Sequence, residues 1–317
     1  MALSIDQRQL LEIIRQDIEK AGFPFFVSEF WQKEAAQFQR FFDKFGINDV
    51  EDEFYNTRFH GTTQDDPRLY QWFLTCYYRL LKQRDSLGLL DRFGSTLQDT
   101  GSFKKYHIGD VAVKTGYPIT VAGRAVSPDL LFTVNDIYNL LELNPELVTA
   151  PIVVGDLGAG WGRIGHLLLQ INPQATYVIF DIPESLVISS AYLPRRLPNA
   201  SVCHYLEARD LKEFDRETLK LRSIWFLCSH HLEQCAAGAL DIVLNVASFQ
   251  EMIPQQVNRY LRLFDEKLSS GYAYLRNDKD HPVCSLSQYQ FPTRWGKMFF
   301  RDGLFSENIF EAGFRVP

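Results

Sequence analysis

IVVGDLGAGWGRIGHLLL, residues 152–169, contains the strongest structural signal in the chain. It begins as a short apolar strand, continues into glycines at alternate positions, and resumes after Arg163 with the apolar spacing of a helix. Glycine lets a backbone approach a ligand closely, and the amino end of a helix presents unpaired N–H groups. The pattern therefore predicts a ligand-binding turn between a buried strand and a helix.

A second apolar strand follows this helix and ends in an acid. Residues 176–180 read TYVIF, and Asp181 comes 19 positions after Gly162. This is close to the spacing at which an acid on the second strand reaches the hydroxyls of a ribose. We therefore expect a ligand that contains a nucleoside, with Asp181 accepting hydrogen bonds from its sugar.

Two cofactors fit the glycines. Gly160, Gly162 and Gly165 satisfy the dinucleotide spacing G-x-G-x-x-G. Gly158, Gly160 and Gly162 satisfy G-x-G-x-G, with Asp156 two residues before the first glycine. Only the second frame puts the turn directly after the strand, so the sequence favours S-adenosylmethionine over a nicotinamide dinucleotide.

Three segments resemble a known family. Residues 154–162 resemble the first motif of class I methyltransferases. The runs FDIPESLVISSAYL, from Phe180, and DIVLNVASFQEMIPQQVNRYL, from Asp241, resemble more specifically the sugar O-methyltransferases of bacterial polysaccharide clusters. The resemblance covers about residues 151–277. It implies an α/β protein with a Rossmann-like sheet, and a last helix and a hairpin after Asn277.

The resemblance also implies that Asp156 and the glycines hold the methionine part of the cofactor while Asp181 holds the ribose. We expect the cofactor to lie across the carboxyl ends of the strands. The predicted cofactor-binding residues are Asp156, Gly158, Ala159, Gly160, Gly162, Asp181, Ile182, Cys228, Ser229 and Asn245.

The third strand has two candidates, residues 201–206 and residues 224–228. We prefer the second because it lies nearer to the next strand, and it puts Cys228, Ser229 and His230 beside the adenine. Adjacent histidines seldom coordinate one ion, and no third ligand is spaced with His230 and His231. We therefore predict no metal site and interpret these two residues as a polar surface pair.

Residues that follow the fourth and fifth strands are the candidates for catalysis. Methyl transfer to a hydroxyl is an in-line displacement that a general base assists by accepting the hydroxyl proton. Glu251 is the first candidate for this base, with His281 and His230 behind it. Glu251 could instead only favour the dipole of the helix that follows. Ser248, Gln250 and Asn277 are predicted to contact the acceptor.

The amino-terminal third has helical patterns rich in aromatic residues. Helices are predicted after Ser4, from Ser28 to Gly46, from Asp66, and from Ser127. Their apolar stripes are interpreted as packing surfaces, although they could line a pocket. We expect a helical domain over residues 1–95, a connecting segment and helix on the substrate side over residues 96–150, and the catalytic domain over residues 151–317.

The composition excludes several classes of protein. The net charge of −6 and the absence of a basic block argue against a nucleic-acid partner. The sequence has no apolar run of the roughly 20 residues that span a bilayer, and its start does not resemble a secretion signal. Its five cysteines include no C-x-x-C pair, so we expect reduced, mostly buried thiols in a cytoplasmic protein. The expected partner is a small-molecule acceptor, and a homodimer is left open.

Two rival functions use the same crevice. One is an NAD(P)-dependent oxidoreductase, which needs a proton relay such as Tyr-x-x-x-Lys, and no such motif lies near the crevice. The other is a non-catalytic Rossmann-fold protein that binds another chain through the aromatic helices.

Overall fold

The computed structural model describes residues 7–20, 67–93, 95–96, 119–121, 124–126 and 128–317. The predicted helix from Ser28 to Gly46 lies outside these ranges. Residues 7–20 and 140–317 belong to one compact unit, and the described residues from 67 to 139 belong to a second. This division differs from the predicted domains 1–95, 96–150 and 151–317, which stay a prediction.

Three of the predicted amino-terminal helices are confirmed. They are α1 (Gln7–Lys20), α2 (Pro67–Gln83) and α4 (Pro128–Leu143), and a short helix α3 (Leu89–Phe93) precedes α4. The apolar stripe of α2 is buried at Phe73 and Leu80, whereas Leu81 is exposed. Three short strands form a small antiparallel sheet in the order β1-β3-β2: β1 (Ser95–Thr96), β2 (Ile119–Val121) and β3 (Arg124–Val126).

The predicted ligand-binding turn belongs to an eight-stranded sheet with the order β10-β11-β9-β8-β4-β5-β7-β6. Its strands are β4 (Val153–Leu157), β5 (Thr176–Asp181), β6 (Val202–Cys203), β7 (Ile224–Cys228), β8 (Ile242–Val246), β9 (Gly271–Asp278), β10 (Gly296–Gly303) and β11 (Ser306–Val316). The strands from β4 to β9 are parallel to one another, and β11 runs antiparallel to β9 and β10. The order reverses at β4, which is where open α/β sheets bind ligands.

The central strands are buried on both faces. Every residue of β4, β5, β7 and β8 is buried, as expected for parallel strands covered by helices. The helices of this region are α5 (Arg163–Ile171), α6 (Pro183–Arg196), α7 (Tyr205–Ala208), α8 (Arg216–Leu219) and α9 (Pro254–Lys267). The preferred third strand is confirmed, because β7 pairs with β5 while Val202 and Cys203 form the sheet edge beyond it.

The end of the sheet confirms the expected hairpin but not the expected last helix. β10 and β11 form the hairpin, whereas residues 279–295 contain only a 3-10 turn at Leu286–Gln288. Pro282 and Pro292 interrupt this segment, and a proline inside a helix removes a hydrogen bond and clashes with the preceding turn. Tyr289 and Trp295 are buried in the core cluster that also contains Phe249 and Phe310. The segment therefore covers the sheet with large side chains instead of a helix.

The cysteines agree with their predicted state. All five are described, buried and free of disulfide bonds. Among the described residues, no helix is both long enough and apolar enough to cross a bilayer.

Candidate active site

The turn between β4 and α5 has the backbone conformation that glycine permits. Gly158, Gly160 and Gly162 have φ angles of 76°, 61° and 85°, in the left-handed region that other residues avoid. The Gly158 N–H donates to the Phe180 carbonyl at 2.8 Å, which fixes the turn to β5. The Gly162 N–H donates to the Ala159 carbonyl at 3.1 Å, and Gly162 then caps α5. The turn is thus held by its own backbone and by the second strand.

The surroundings of two of these glycines differ. A Cβ added at Gly158 would lie 2.0 Å from Ser248 Oγ, whereas a Cβ added at Gly160 would meet nothing within 4 Å. Gly158 therefore allows the turn to pack against the segment after β8. Gly160 borders open space at the carboxyl edge of the sheet, where a ligand can approach the backbone.

Asp181 faces this turn from the end of β5, as the sequence predicted. Its Oδ2 accepts a hydrogen bond from Gly160 N at 2.6 Å, and its Oδ1 accepts one from Ile182 N at 2.7 Å. Burial raises the pKa of Asp181 to about 7, although the N–H groups of Ile182 and Gly160 and the hydroxyl of Ser185 oppose this rise. A carboxylate accepts about four hydrogen bonds in all, so beside the donors Gly160, Ile182 and Ser185 it keeps acceptor capacity for a ligand hydroxyl.

Asp156 is buried within β4, and its partner is a residue that the sequence analysis did not identify. The Tyr177 hydroxyl donates a hydrogen bond to Asp156 Oδ2. Burial and the neighbouring carboxylate raise the pKa of Tyr177 well above its usual value, so the phenol stays protonated. A Cβ added at Gly165 would lie 2.3 Å from the Tyr177 ring. A glycine on the helix opposite a tyrosine on the adjacent strand is the signal that could have revealed this packing.

Residues at the carboxyl ends of β8 and β9, and in the turn after β8, form one hydrogen-bonded network. Asn245 Nδ2 donates to the Leu157 carbonyl at 2.8 Å, and Asn277 Nδ2 donates to Asn245 Oδ1 at 3.1 Å. Asn277 Oδ1 accepts from Ser248 N at 3.0 Å and from Gln250 N at 3.3 Å. The fold therefore brings the predicted residues Asn245, Ser248, Gln250 and Asn277 together, and the amide of Asn277 holds the turn after β8.

Glu251 lies at the end of a short 3-10 helix, Phe249–Glu251, that follows this turn. Its N–H donates to the Ser248 carbonyl at 3.0 Å, and only 9% of the residue is exposed. Ala247 has a φ of 55°, the one positive value at a residue other than glycine in the described part of the chain. This turn brings the chain back across the carboxyl edge, next to the glycines.

Cys228 lies beside Asp181 because the two residues are register partners at the ends of β7 and β5. Ser229 is buried and begins the 3-10 helix Ser229–Gln234. The interpretation of the two histidines as a polar surface pair is wrong for His231, which is buried against Tyr205 and Phe214. Burial lowers the pKa of His230 to about 4 and that of His231 to about 3, so both rings are neutral at neutral pH.

His281 is half-buried in the segment after β9. Its Nδ1 accepts a hydrogen bond from the Val283 N–H at 3.3 Å, so this atom is engaged within its own loop. His281 therefore has a contact within its own loop. In contrast, Asp181 bonds to Gly160 of the glycine turn, Ser248 packs against Gly158, and Asn245 bonds to Leu157 just before the turn.

Comparisons with known proteins give structural similarity only. No protein-family profile matches the sequence, and no curated protein matches it. The chain is similar to a SAM-dependent methyltransferase from Aquifex aeolicus, with 12% identity over 56% of this chain and 92% of that one and a TM-score of 0.36. It is also similar to an RNA methyltransferase from Salinibacter ruber in complex with S-adenosyl-L-homocysteine, with 15% identity over 56% and 90% and a TM-score of 0.35. For the mitomycin 7-O-methyltransferase MmcR the identity is 10% over 80% and 70%, with a TM-score of 0.35.

Proposed function

We propose that the protein is an S-adenosylmethionine-dependent methyltransferase that methylates a hydroxyl group of a small molecule. The observation that carries the proposal is the 2.6 Å hydrogen bond from the Gly160 N–H to the Asp181 carboxylate. This bond joins two features. One is a glycine turn that borders open space, and the other is an acid that suits a ribose. A nucleoside ligand needs both features within one crevice.

The residues around this crevice fit the cofactor. A methyl group at Gly160 would have free space, so the turn leaves room for a ligand next to the backbone. Asp181 is 6% exposed, and its carboxylate keeps acceptor capacity for a ribose hydroxyl beside its three protein donors. Asp156, the glycines and Ala159 are the proposed contacts of the methionine part, and Ile182, Ser229 and the backbone of Cys228 are those of the adenosine part.

The edge of the sheet favours this cofactor over a dinucleotide. Dinucleotide-binding sheets have the order 3-2-1-4-5-6 with a sixth parallel strand beside the fifth. Here the antiparallel β11 lies between β9 and β10, which is the hairpin that the methyltransferase resemblance implies. Gly165 is the third glycine of the dinucleotide frame. Its packing against Tyr177 explains why a glycine stands there without a role in binding a dinucleotide.

When bound, the cofactor supplies a methyl group already activated by a sulfonium. The chain then has to orient the acceptor hydroxyl and accept its proton, since a sugar hydroxyl is barely acidic. We assign proton acceptance to Glu251, which ends the 3-10 helix after Ser248, the residue that packs against the glycine turn. His230 and His281 remain the alternative bases. His230 has a pKa of about 4, far from the neutral value that suits a general base.

We assign acceptor binding to the network at the carboxyl ends of β8 and β9 and in the turn after β8. Ser248 and Gln250 lie on the turn that Asn277 holds, so we propose that the first two contact the acceptor and that Asn277 positions them. A sugar or sugar conjugate is the proposed acceptor, on the basis of the sequence resemblance. Incubation with a labelled methyl donor and a panel of sugars, nucleotide-linked sugars, amines and phosphates tests this choice. Label transferred only to amines would contradict O-methylation.

Binding calorimetry with S-adenosylhomocysteine and with NAD tests the cofactor itself. We expect the homocysteine compound alone to bind. Asp181→Asn should lower its affinity about 10- to 100-fold, because a hydrogen bond to a charged group contributes about 1.5–3 kcal/mol. Asp210→Asn is the matched control, since Asp210 is exposed and pairs only loosely with Arg209. Binding of NAD, or equal affinity of the native protein and Asp181→Asn, would overturn the proposal.

A further inference from the structure

A cluster of side chains suited to a metal ion lies at the end of β7. One ligand atom from each of Cys228, His230 and His231 lies within 4.8 Å of the other two. The spacing of the sequence offers no third ligand beside the histidine pair. The fold supplies one, because the 3-10 helix after β7 turns both rings back toward the thiol of Cys228.

Hydrogen bonding fixes which nitrogen of His231 is available. His231 Nδ1 lies 3.3 Å from the Cys228 carbonyl oxygen. A carbonyl oxygen can only accept, so Nδ1 carries the proton and Nε2 keeps its lone pair in the neutral ring. A hydrogen bond from the second ring nitrogen to a backbone carbonyl is also how metal-bound histidines are oriented.

The electrostatic surroundings of the thiol favour a cation. The carboxylates of Asp181, Glu184 and Asp17 are close enough to interact electrostatically with the buried side chain of Cys228. Negative charges around a site stabilise a bound cation. A thiol that coordinates a metal ion is deprotonated.

We propose that Cys228, His230 and His231 bind Zn²⁺, with solvent as the fourth ligand. One sulfur and two imidazole nitrogens form a borderline-soft donor set that suits zinc, whereas Mg²⁺ and Ca²⁺ take oxygen ligands. Binding forms a zinc–sulfur bond and releases the thiol proton to solvent. The site fixes the 3-10 helix after β7, next to Asp181. Zinc binding is measured without a methyl donor, so its test stands apart from the test of the proposed methyl transfer.

Metal analysis of the native, tag-free protein tests the site without any methyl donor. We expect about one zinc per chain by mass spectrometry, in keeping with a three-residue site. Cobalt added to the zinc-depleted protein should give the visible bands of a tetrahedral site and a sulfur-to-cobalt charge-transfer band. A folded native protein that binds neither metal, or a cobalt spectrum without the sulfur band, overturns the proposal.

Three variants localise the ligands. Cys228→Ser should lose the sulfur-to-cobalt band, whereas Cys284→Ser should keep it, because Cys284 is also buried but lies outside the cluster. His230→Gln, at a half-buried ring, tests the site where Cys228→Ser does not fold. We expect it to lower zinc affinity more than about tenfold, since even loss of an outer partner of a metal ligand has an effect of that size. Unchanged zinc affinity in His230→Gln, or loss of the sulfur band in Cys284→Ser, would contradict the assignment.

Discussion

Two alanine substitutions in the glycine turn should differ in their main effect. Gly158→Ala should mainly lower stability, and Gly160→Ala should mainly weaken cofactor binding. Gly158 and Gly160 both have positive φ, so an alanine at either position costs about 1–2 kcal/mol of backbone strain. Their surroundings differ. The new methyl group meets Ser248 Oγ at 2.0 Å at position 158 and nothing within 4 Å at position 160.

The magnitudes follow from these distances. Gly158→Ala adds overpacking to the strain, and overpacking costs about 1–3 kcal/mol, so we expect a total loss of about 2–5 kcal/mol. Gly160→Ala should lose only the strain. Because the methyl group of Gly160→Ala points into the proposed cofactor space, it should weaken S-adenosylhomocysteine binding at least about tenfold, equivalent to about 1.4 kcal/mol.

Thermal unfolding and binding calorimetry on the two variants measure both effects. Ser248→Gly should restore part of the stability of Gly158→Ala, since the atoms that clash are Ser248 Oγ and Cβ. It should not improve Gly160→Ala. Equal stability of the two alanine variants would refute the packing argument. Undiminished binding by Gly160→Ala would refute the position of the cofactor against the turn.

Three further predictions concern titration and catalysis. With the pKa of Asp181 at about 7, the carboxyl must lose its proton to accept a ribose hydroxyl as a charged acceptor, so S-adenosylhomocysteine affinity should fall about tenfold for each pH unit below 7. Calorimetry should show this slope in the native protein and none in Asp181→Asn. Glu251→Gln should lower kcat about 10²- to 10⁴-fold and leave the S-adenosylhomocysteine Kd unchanged, and unaltered turnover would exclude Glu251 as the base. Burial lowers the pKa of His166 from 6.5 to about 3, so the unfolded chain takes up the proton first. The free energy of unfolding should then decrease as the pH falls below about 6.5, by up to about 1.4 kcal/mol per pH unit from this residue. Urea unfolding of His166→Gln should show a shallower slope, and an identical slope would contradict this assignment.

Sequence patterns predicted the parts of the site that depend on neighbours along the chain. The strand, the glycine turn and the helix are adjacent in residues 153–171, and each has a local signature in apolar spacing or backbone freedom. Asp181 follows because a parallel strand beside β4 has to end at the same edge. The preference for residues 224–228 as third strand was correct for a similar reason, since the next strand in the chain starts close by.

Such patterns could not predict the contacts between segments that are distant in the sequence. The bond from Tyr177 to Asp156 depends on the register of two strands and on the space that Gly165 leaves. The burial of His231 depends on Tyr205 and Phe214, which come from other elements. The absent last helix depends on whether large side chains such as Tyr289 can cover the sheet in an irregular segment. In each case tertiary packing decides the outcome, and apolar periodicity carries no information about it.

Two unfavourable features of this fold lie at the same edge of the sheet. Ala247 adopts a positive φ there, and the buried Asp181 has a pKa near 7. The raised pKa destabilises the fold by an amount of order 4 kcal/mol above pH 7, and this cost disappears below the unfolded value of 3.8. Strain and perturbed acids persist where the surrounding structure enforces them, and they cluster at functional sites. Ribose hydroxyls that donate to the Asp181 carboxylate would lower its pKa and offset part of this cost. Ligand binding and stability above neutral pH should therefore be coupled through this one carboxylate.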